Sequence, residues 1–454
     1  MLLINFCNGV LNYLYNFKFY LLIITINFIN SLNLHSQTTA ILDSNFEQAL
    51  IYLNIDTNGL NGNILNSDAI AITTLYIDDY NISDLTGISA FQNLKNLYAI
   101  NNHLTTIDLS TNPNIEIIDF DNNYISTINL QANTQLKKLY ISNNLLTTLD
   151  VSNNSNLELL FCNINNLSAL DLSFNINLKD LRCYDNNISN LDVSNNLELE
   201  FLYASSNNLS HLQLNLNTDL KSLSFDNNSI NSIDLSQNED LTYLSCSNNN
   251  LTNLDISNND ELKRILCNNN NLTVLDLSQT DDLFLLYAQN NNIENLDLSN
   301  NPNLKYFRAE NNALSLVDIR TSTNYKLNEF VVTDNDDLAC IYVDDKYASY
   351  LNDWEVGSSC NFVLDEAECQ TLSITETVLE TFSLYPNPAS SSVTIHLTSA
   401  DSNLKIYSLK GQIVYESILR KGENQVNTSH LSAGVYVVSI LTENSNITKK
   451  LVIQ

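Results

Sequence analysis

A period of 21 residues runs through the middle of the chain and constrains its fold more than any other feature. Within each unit, positions 1, 4, 6, 11, 14 and 16 are apolar in all eleven copies. A repeat of this length predicts a solenoid, because each coil can bury its apolar side only by stacking on its neighbours. The units begin at Leu94, Ile115, Leu136, Leu157, Leu178, Leu199, Leu220, Leu241, Leu262, Leu283 and Leu304.

The positions of the unit have different predicted roles. Positions 4 and 6 are expected to point inward from a short strand that pairs in parallel with the next coil, so positions 3, 5 and 7 face outward. Position 9 is Asn in every unit, just after the strand, where its amide can donate to and accept from the backbone of adjacent turns. No Gly occurs between Gly87 and Gly357, so Asn must also supply positive φ in the turns. The predicted structural ladder comprises Asn102, Asn123, Asn144, Asn165, Asn186, Asn207, Asn228, Asn249, Asn270, Asn291 and Asn312.

The unit reads L-x-x-L-x-x-x-x-N-x-L-x-x-L-D-L-S-x-N-x-x and resembles bacterial leucine-rich repeats of the irregular 21-residue class. The resemblance covers residues 94–326 and implies a β-rich solenoid with parallel strands on a concave face, short strands opposite, and little helix. Both ends of such a stack need caps. We expect an N-terminal cap at residues 37–93, with a degenerate repeat and a short helix that starts at a Ser44/Glu47 capping box. We expect the C-terminal cap at residues 327–369.

The composition shifts near residue 370, where a linker is predicted over residues 370–381. From residue 382 to 454, Gly and alternating strand patterns return and predict a small antiparallel β-sandwich. Its motifs resemble the type A C-terminal sorting domain of the type IX secretion system of Bacteroidetes. The resemblance implies passage across the outer membrane with the secretion machinery as partner. The motifs are Leu384–Pro388 (LYPNP), Leu409–Gln412 (LKGQ), Leu431–Tyr436 (LSAGVY) and Lys449–Val452 (KKLV).

Residues 1–36 have the pattern of a secretory signal peptide: Lys18, a short apolar core and small or polar residues up to Ser36. An uncleaved anchor is the alternative. No membrane span is expected in the mature chain, and the protein is predicted to be secreted or held on the outer surface of a Gram-negative bacterium. Export favours one disulfide among three cysteines of the C-terminal cap. We predict Cys340–Cys369, with Cys360 as the competing partner.

Charge and motifs exclude several functions. The formal net charge of -31 repels phosphate backbones and argues against nucleic-acid binding. No metalloprotease, hydrolase or phosphate-loop motif occurs, so we predict no catalytic residues, no metal site and no cofactor. The cysteines at the inward position 6 are expected to be buried apolar side chains rather than ligands. They are Cys162, Cys183, Cys246 and Cys267.

Two features raise the question of calcium. Position 15 is Asp in nine of the eleven units, which would stack carboxylates one coil apart. We favour the interpretation that each Asp accepts N–H groups of its own turn over calcium coordination. The loop at residues 56–63 resembles a calcium loop but lacks the closing Glu, so ordinary turns are favoured there too.

The outward positions of the strands are the predicted binding surface. Aromatic and Arg side chains are enriched at interface hot spots, although Tyr and Phe also simply suit strands. Because cations are scarce in this chain, the arginines among them suggest an acidic ligand or a glycan. We therefore predict non-enzymatic recognition of an extracellular protein or glycan; the alternative is a structural acidic rod. The candidate residues are Tyr98, Tyr140, Phe161, Arg182, Tyr184, Phe201, Tyr203, Tyr243, Arg264, Tyr287, Tyr306 and Arg308.

Overall fold

The computed structural model describes residues 38–321, 323, 327–373, 382–397, 401–441 and 446–454. The chain divides into two compact units, the first ending at Cys369 and the second beginning at Gln370. The predicted signal peptide lies outside the described residues. So does most of the predicted linker, whose first residues instead complete the helix Glu366–Ser373.

The first unit is a solenoid built on a parallel sheet of thirteen strands, ordered along the chain. Each strand has three residues and pairs in register with its counterpart one coil away, as Arg182 does with Tyr203. The predicted fold class is confirmed, and the sheet extends by one strand beyond each end of the eleven units. The strands are Thr74–Tyr76, Asn96–Tyr98, Ile117–Asp119, Lys138–Tyr140, Leu159–Phe161, Asp180–Arg182, Phe201–Tyr203, Ser222–Ser224, Tyr243–Ser245, Arg264–Leu266, Leu285–Tyr287, Tyr306–Arg308 and Glu329–Val331.

The core of the solenoid follows from the apolar positions of the unit. In one coil, Leu160 at position 4 and Cys162 at position 6 are fully buried. Leu159 at position 3 and Phe161 at position 5 are half-buried and face outward. Positions 11, 14 and 16 complete the core from the opposite side, as Leu167, Leu170 and Leu172 do in this coil. Because every coil repeats this arrangement, a single apolar core runs the length of the stack.

The turn after each strand uses positive φ without Gly. The residue concerned is at position 8, directly before the predicted ladder Asn, and it is Asn in most coils. Asn tolerates this region better than other side chains. The exceptions are Ile164, Asp185 and Ser206, so the regular turn is imposed by the stack even where the local preference opposes it.

A second parallel sheet lies at the C-terminal end of the solenoid, with strands Asn295–Asp297, Leu316–Asp318, Cys340–Tyr342 and Asn361–Val363. The stacking therefore continues into the region predicted as a separate C-terminal cap. There Trp354 packs on Phe330, with ring centroids 4.2 Å apart, and edge-on against Phe362 at 5.8 Å. A 3-10 turn at Ser349–Asp353 leads into Trp354. These rings close the apolar end of the stack.

The N-terminal cap contains the predicted helix, Ser44–Tyr52, but the predicted capping box is wrong. Asp43 is the N-cap residue, and its Oδ1 accepts from the backbone N–H of Asn45. Glu47 is buried and accepts three backbone N–H groups, those of residues 61–63, through one oxygen. The carboxylate thus holds the following loop rather than the helix start, because that loop offers more unpaired donors.

Short elements complete the N-terminal cap. The strands Thr38–Ala40 and Asn63–Leu65 form an antiparallel pair. A one-turn helix at Asn66–Ala69 and a 3-10 turn at Ile88–Ala90 follow. The second oxygen of Asp43 accepts from the backbone N–H groups of Ser83 and Asp84, so the cap is tied directly to the solenoid.

The second unit has two antiparallel sheets around its own core. In the first sheet, Ser392–Leu397 lies between Phe382–Tyr385 and Gly422–Asn427. The second contains Ser402–Ser408, Ile413–Leu419, Gly434–Leu441 and Asn446–Ile453. Alternate side chains along Ser392–Leu397 point inward, so Val393, Ile395 and Leu397 are buried, as expected for a sheet with one covered face.

Candidate binding surface

The outward side chains of the thirteen-stranded sheet, at positions 3, 5 and 7, form the surface that we call the sheet face. It corresponds to the predicted concave face. Parallel in-register pairing aligns each position in a column across the coils. Along the column of position 5, the order Tyr140, Phe161, Arg182, Tyr203 brings four of the predicted residues into direct succession.

These four side chains form a stacked row. Tyr140 meets Phe161 edge-on with ring centroids 5.0 Å apart. The Arg182 guanidinium lies 4.0 Å from the Phe161 centroid and 5.2 Å from that of Tyr203, within the range of cation–π attraction. Arg182 Nη2 is also 3.0 Å from Asp180 Oδ2. Its charge is therefore balanced within the face.

Arg308 is balanced in the same way at the C-terminal end of the face. Its guanidinium pairs with Glu310 and lies 3.5 Å from a Glu329 oxygen. The Tyr287 hydroxyl donates to the other Glu329 oxygen at 3.0 Å, and Tyr306 accepts from Asn328. Arg308 and Tyr287 thus belong to one internal polar network, and Tyr306 has a separate hydrogen bond within the face.

Arg264 differs from the other two arginines. It is exposed, and within the part of the chain that the structure describes it has no ion pair. The sequence-based argument that three arginines favour an acidic ligand is therefore weakened, since two of them are neutralised by carboxylates of the face itself.

A carboxylate organises the centre of the face. Asp226 Oδ1 accepts from the Ser245 hydroxyl at 2.6 Å and from the Ser247 N–H at 2.7 Å. Its Oδ2 accepts from the hydroxyls of Ser224 at 2.8 Å and Ser205 at 3.1 Å. Through Asp226, these serines therefore form one connected hydrogen-bond network. Asp226 itself was missed, because nothing in the sequence separates it from other outward acids.

The N-terminal end of the face is acidic and aromatic. Tyr98 stacks on Tyr76, with centroids 4.7 Å apart. Burial, together with the charges of Asp121 and Asp78, raises the pKa of Asp119 to about 6. Tyr76 was also missed, because its strand is 22 rather than 21 residues before the next one and falls outside the strict repeat.

The remaining candidates, Tyr184, Phe201 and Tyr243, are half-buried and face outward from the central coils. The structure therefore assembles the twelve candidates on one face.

The Asn side chains at position 9 bridge adjacent coils. Asn123 Nδ2 donates to the carbonyl of Ala99 in the preceding coil at 2.9 Å and to that of Phe120 in its own coil at 3.1 Å. Its Oδ1 accepts from the buried N–H of Leu104 at 3.0 Å. A second column, at position 19, is fully buried: Asn175 Nδ2 donates to the carbonyls of Val151 and Asn154. Sequence reasoning included this second Asn in the consensus but assigned it no role.

The cysteines divide into two groups. Cys340 and Cys369 form the predicted disulfide, and Cys360 remains a free thiol. The four cysteines at position 6 are free and buried. Burial raises the pKa of Cys183 to about 12 and that of Cys267 equally, so these thiols stay protonated at neutral pH.

The aspartates at position 15 accept N–H groups of their own turns, which is the interpretation that the sequence favoured over calcium coordination. Asp171 Oδ1, for example, accepts from the Ser173 N–H at 3.0 Å, and this bond together with the Ser173 hydroxyl lowers the pKa of Asp171. Among the described residues, no group of three or more His, Cys, Asp or Glu side chains has a geometry that would hold a metal ion. Nor does any helix in the described ranges combine the length and apolarity needed to cross a membrane.

Comparison with known proteins identifies the C-terminal unit. Residues 383–454 match the family model described as a secretion system C-terminal sorting domain. These residues are a secretion system C-terminal sorting domain. The sorting domain implies export to the cell surface or the medium, which confirms the predicted destination. Comparison with curated protein sequences finds no match.

The solved structures that resemble the chain are leucine-rich-repeat proteins. The functional domain of InlJ from Listeria monocytogenes, described as including a cysteine ladder, is 23% identical with a TM-score of 0.62, over 92% of this chain and 99% of that one. The internalin InlF from the same species is 21% identical with a TM-score of 0.55, over 70% of this chain and 96% of that one. The chain thus carries a leucine-rich-repeat solenoid ahead of its sorting domain.

Proposed function

We propose that this protein is a non-enzymatic recognition protein that binds an extracellular protein or glycan through the sheet face of its solenoid. The observation that carries the proposal is the alignment of aromatic side chains in columns on a surface about 60 Å long, at roughly 4.8 Å per strand. Aromatic rings contribute much of the binding energy at interfaces. Non-enzymatic action is supported by the protonated, buried thiols of the repeats and by the internal pairing of the polar side chains on the face.

The binding test uses purified full-length protein against panels of extracellular matrix proteins and polysaccharides. We expect a specific ligand whose affinity falls when Tyr203 and Arg264 are both changed to Ala. A variant with Tyr124→Ala is the matched control, because this tyrosine is 52% exposed and lies outside the strands of the sheet face. Binding that is unaffected by the double change would contradict recognition through these residues of the sheet face, and no binding to either panel would favour the acidic structural rod.

Delivery is the second part of the proposal, with the type IX secretion machinery as the partner of the sorting domain. Deletion of residues 382–454 is expected to leave the solenoid inside the cell envelope, whereas the intact protein reaches the surface or the medium. Cell fractionation with an antibody against the solenoid measures both pools. Equal surface display with and without these residues would contradict the role of the sorting domain.

A further inference from the structure

We infer that the centre of the sheet face, around Tyr203, Ser222, Asp226 and Tyr243, is a binding site for an uncharged polysaccharide. The inference rests on the proposed recognition function and narrows its ligand class. Three observations carry it: the orientation of a tyrosine ring, the chemistry of the groups beside it, and the charge balance of the face.

The Tyr203 ring leans across the neighbouring strand. Its hydroxyl accepts from the Ser222 hydroxyl at 3.0 Å, although the residue directly paired with Tyr203 is Ser224, two positions further on. A side chain that stood upright on the sheet, as strand side chains ordinarily do, would carry its hydroxyl well above a serine oxygen. The small serines provide the room, and Ser222 is 7% exposed beneath the ring. The Tyr203 ring is half-buried in this position, and the Arg182 guanidinium lies 5.2 Å from its centroid.

Tyr243 borders the same place from the other side. It is directly paired with Ser222 on the next strand and is also half-buried. The apolar C–H face of a sugar ring can stack on the flat face of an aromatic side chain. The hydroxyl groups at the rim of the sugar are then not buried in an apolar pocket. Half-buried rings separated by small serines favour a sugar over the side-chain anchor of a protein partner, which needs a deep apolar pocket.

The groups beside the rings match hydroxyl chemistry. The half-buried Asp226 carboxylate accepts from three serine hydroxyls and one backbone N–H, and the hydroxyls of Ser205 and Ser224 lie 2.7 Å apart. A hydroxyl both donates and accepts, so the rim hydroxyls of a sugar can join such a network without leaving a charge unpaired. The network joins three coils and is formed before a ligand binds.

The charges of the face disfavour a polyanion. Arg182 and Arg308 already pair with carboxylates of the face, so Arg264, which is paired with Tyr243 on the next strand, is the one of the three arginines without an ion pair in the described part of the chain. Asp226 and the acids at the N-terminal end add carboxylates to the same face. A polymer with regularly spaced carboxylates or sulfates would meet these groups at close range. A neutral polymer avoids this repulsion, and its repeating units can contact several rings of the long face at once.

The experiment compares polysaccharides of both classes on full-length protein by affinity electrophoresis and titration calorimetry. The neutral probes are glucomannan, xyloglucan and laminarin; the acidic probes are alginate and polygalacturonate. We expect binding to at least one neutral probe, and Tyr203→Ala should weaken it by about tenfold or more, as for a hot-spot ring. Tyr203→Phe keeps the ring and should stay within about threefold of the native affinity. Tyr124→Ala should leave binding unchanged, and far-UV circular dichroism with the unfolding midpoint checks that each variant is folded.

The outcomes separate this inference from the proposed function. Tighter binding of an acidic probe than of every neutral one, or neutral binding that survives Tyr203→Ala in a folded variant, overturns the inference. A protein ligand that is lost with Tyr203→Ala, in the absence of polysaccharide binding, overturns the inference but supports recognition by the sheet face. Failure to bind any polysaccharide or matrix protein overturns both.

Discussion

Replacement of one ladder asparagine by Ala should destabilise the solenoid far more than replacement of its neighbour. Asn165 Oδ1 accepts from the Leu146 N–H at 2.9 Å, and its Nδ2 donates to the carbonyls of Ile141 at 2.9 Å and Cys162 at 3.1 Å. The adjacent Asn166 is exposed, and among the described residues its side chain makes no hydrogen bond. The two positions therefore differ in contacts while sharing a residue type.

The magnitude follows from what each change leaves behind. Asn165→Ala removes the acceptor of the buried Leu146 N–H, and an unpaired buried donor costs about 1–3 kcal/mol. The two carbonyls each keep a second donor, from Asn144 and Asn186, so their loss is smaller. We expect a total loss of about 3 kcal/mol in the free energy of unfolding, against less than about 0.5 kcal/mol for Asn166→Ala.

A third variant tests the reasoning within the same molecule. Asn175→Ala in the second column removes two donated bonds but no acceptor of a backbone N–H, so we expect about 2 kcal/mol. Urea unfolding followed by circular dichroism gives the order, and hydrogen exchange at Leu146 reports the local loss directly. Because repeat arrays can unfold in parts, the exchange measurement is needed beside the equilibrium curve. Equal stability of the Asn165→Ala and Asn166→Ala variants would refute the ladder argument.

Three further predictions concern other parts of the solenoid. Asp119→Asn should stabilise the protein at pH 8 by about 1–2 kcal/mol after allowance for solvent screening, and it should have little effect at pH 3. Because the pKa of Asp119 is raised to about 6, its carboxyl group favours the fold when protonated and loses this contribution as the pH rises through 6. Thermal unfolding at the two pH values checks this prediction. Paired Cys340→Ser and Cys369→Ser changes should cost about 3 kcal/mol in urea unfolding, because the bridge closes a loop of 29 residues, and dithiothreitol should then have no additional effect. Glu47→Ala should cost about 2–3 kcal/mol, since the N–H groups of Asn61 and Gly62 lose their acceptor and that of Asn63 keeps only Asn61 Oδ1. Faster hydrogen exchange at residues 61–63 would locate the loss, and unchanged exchange there would contradict this role.

The solenoid could be predicted from the sequence because its determinants are local and repeated. Inward positions recur at a fixed period, and a one-residue register error in any coil would turn the apolar side chains of its strand outward, so the pattern favours one stacking. The Cys340–Cys369 bridge could also be predicted, from three nearby cysteines, and so could the sorting domain, from motifs in a fixed order. A degenerate repeat was expected before the eleven units, and the strand Thr74–Tyr76 lies there. The strand Glu329–Val331 after them was missed because its spacing departs from the period.

The sheet face shows the limit of such reasoning. Alternation along a strand predicts which side chains point outward, and it even places Asp180 beside Arg182. It does not predict that Arg308 is shared with Glu329 of the following coil, or that Glu47 binds a loop some fourteen residues later instead of its own helix start. These contacts depend on side-chain rotamers and on distances between separate coils.

The sequence by itself determined the coil, its inward and outward positions and the export signal at the C-terminus, since each depends on residue type at fixed spacing. Only the tertiary structure decided which outward groups are already paired and which still face solvent. Tyr203 leans onto Ser222, Asp226 collects the hydroxyls of three coils, and Arg264 alone among the three arginines remains without an ion pair in the described part of the chain. Hydrogen bonds and ion pairs act over a few ångströms, so their partners are set by the stacked coils in space and not by distance along the chain.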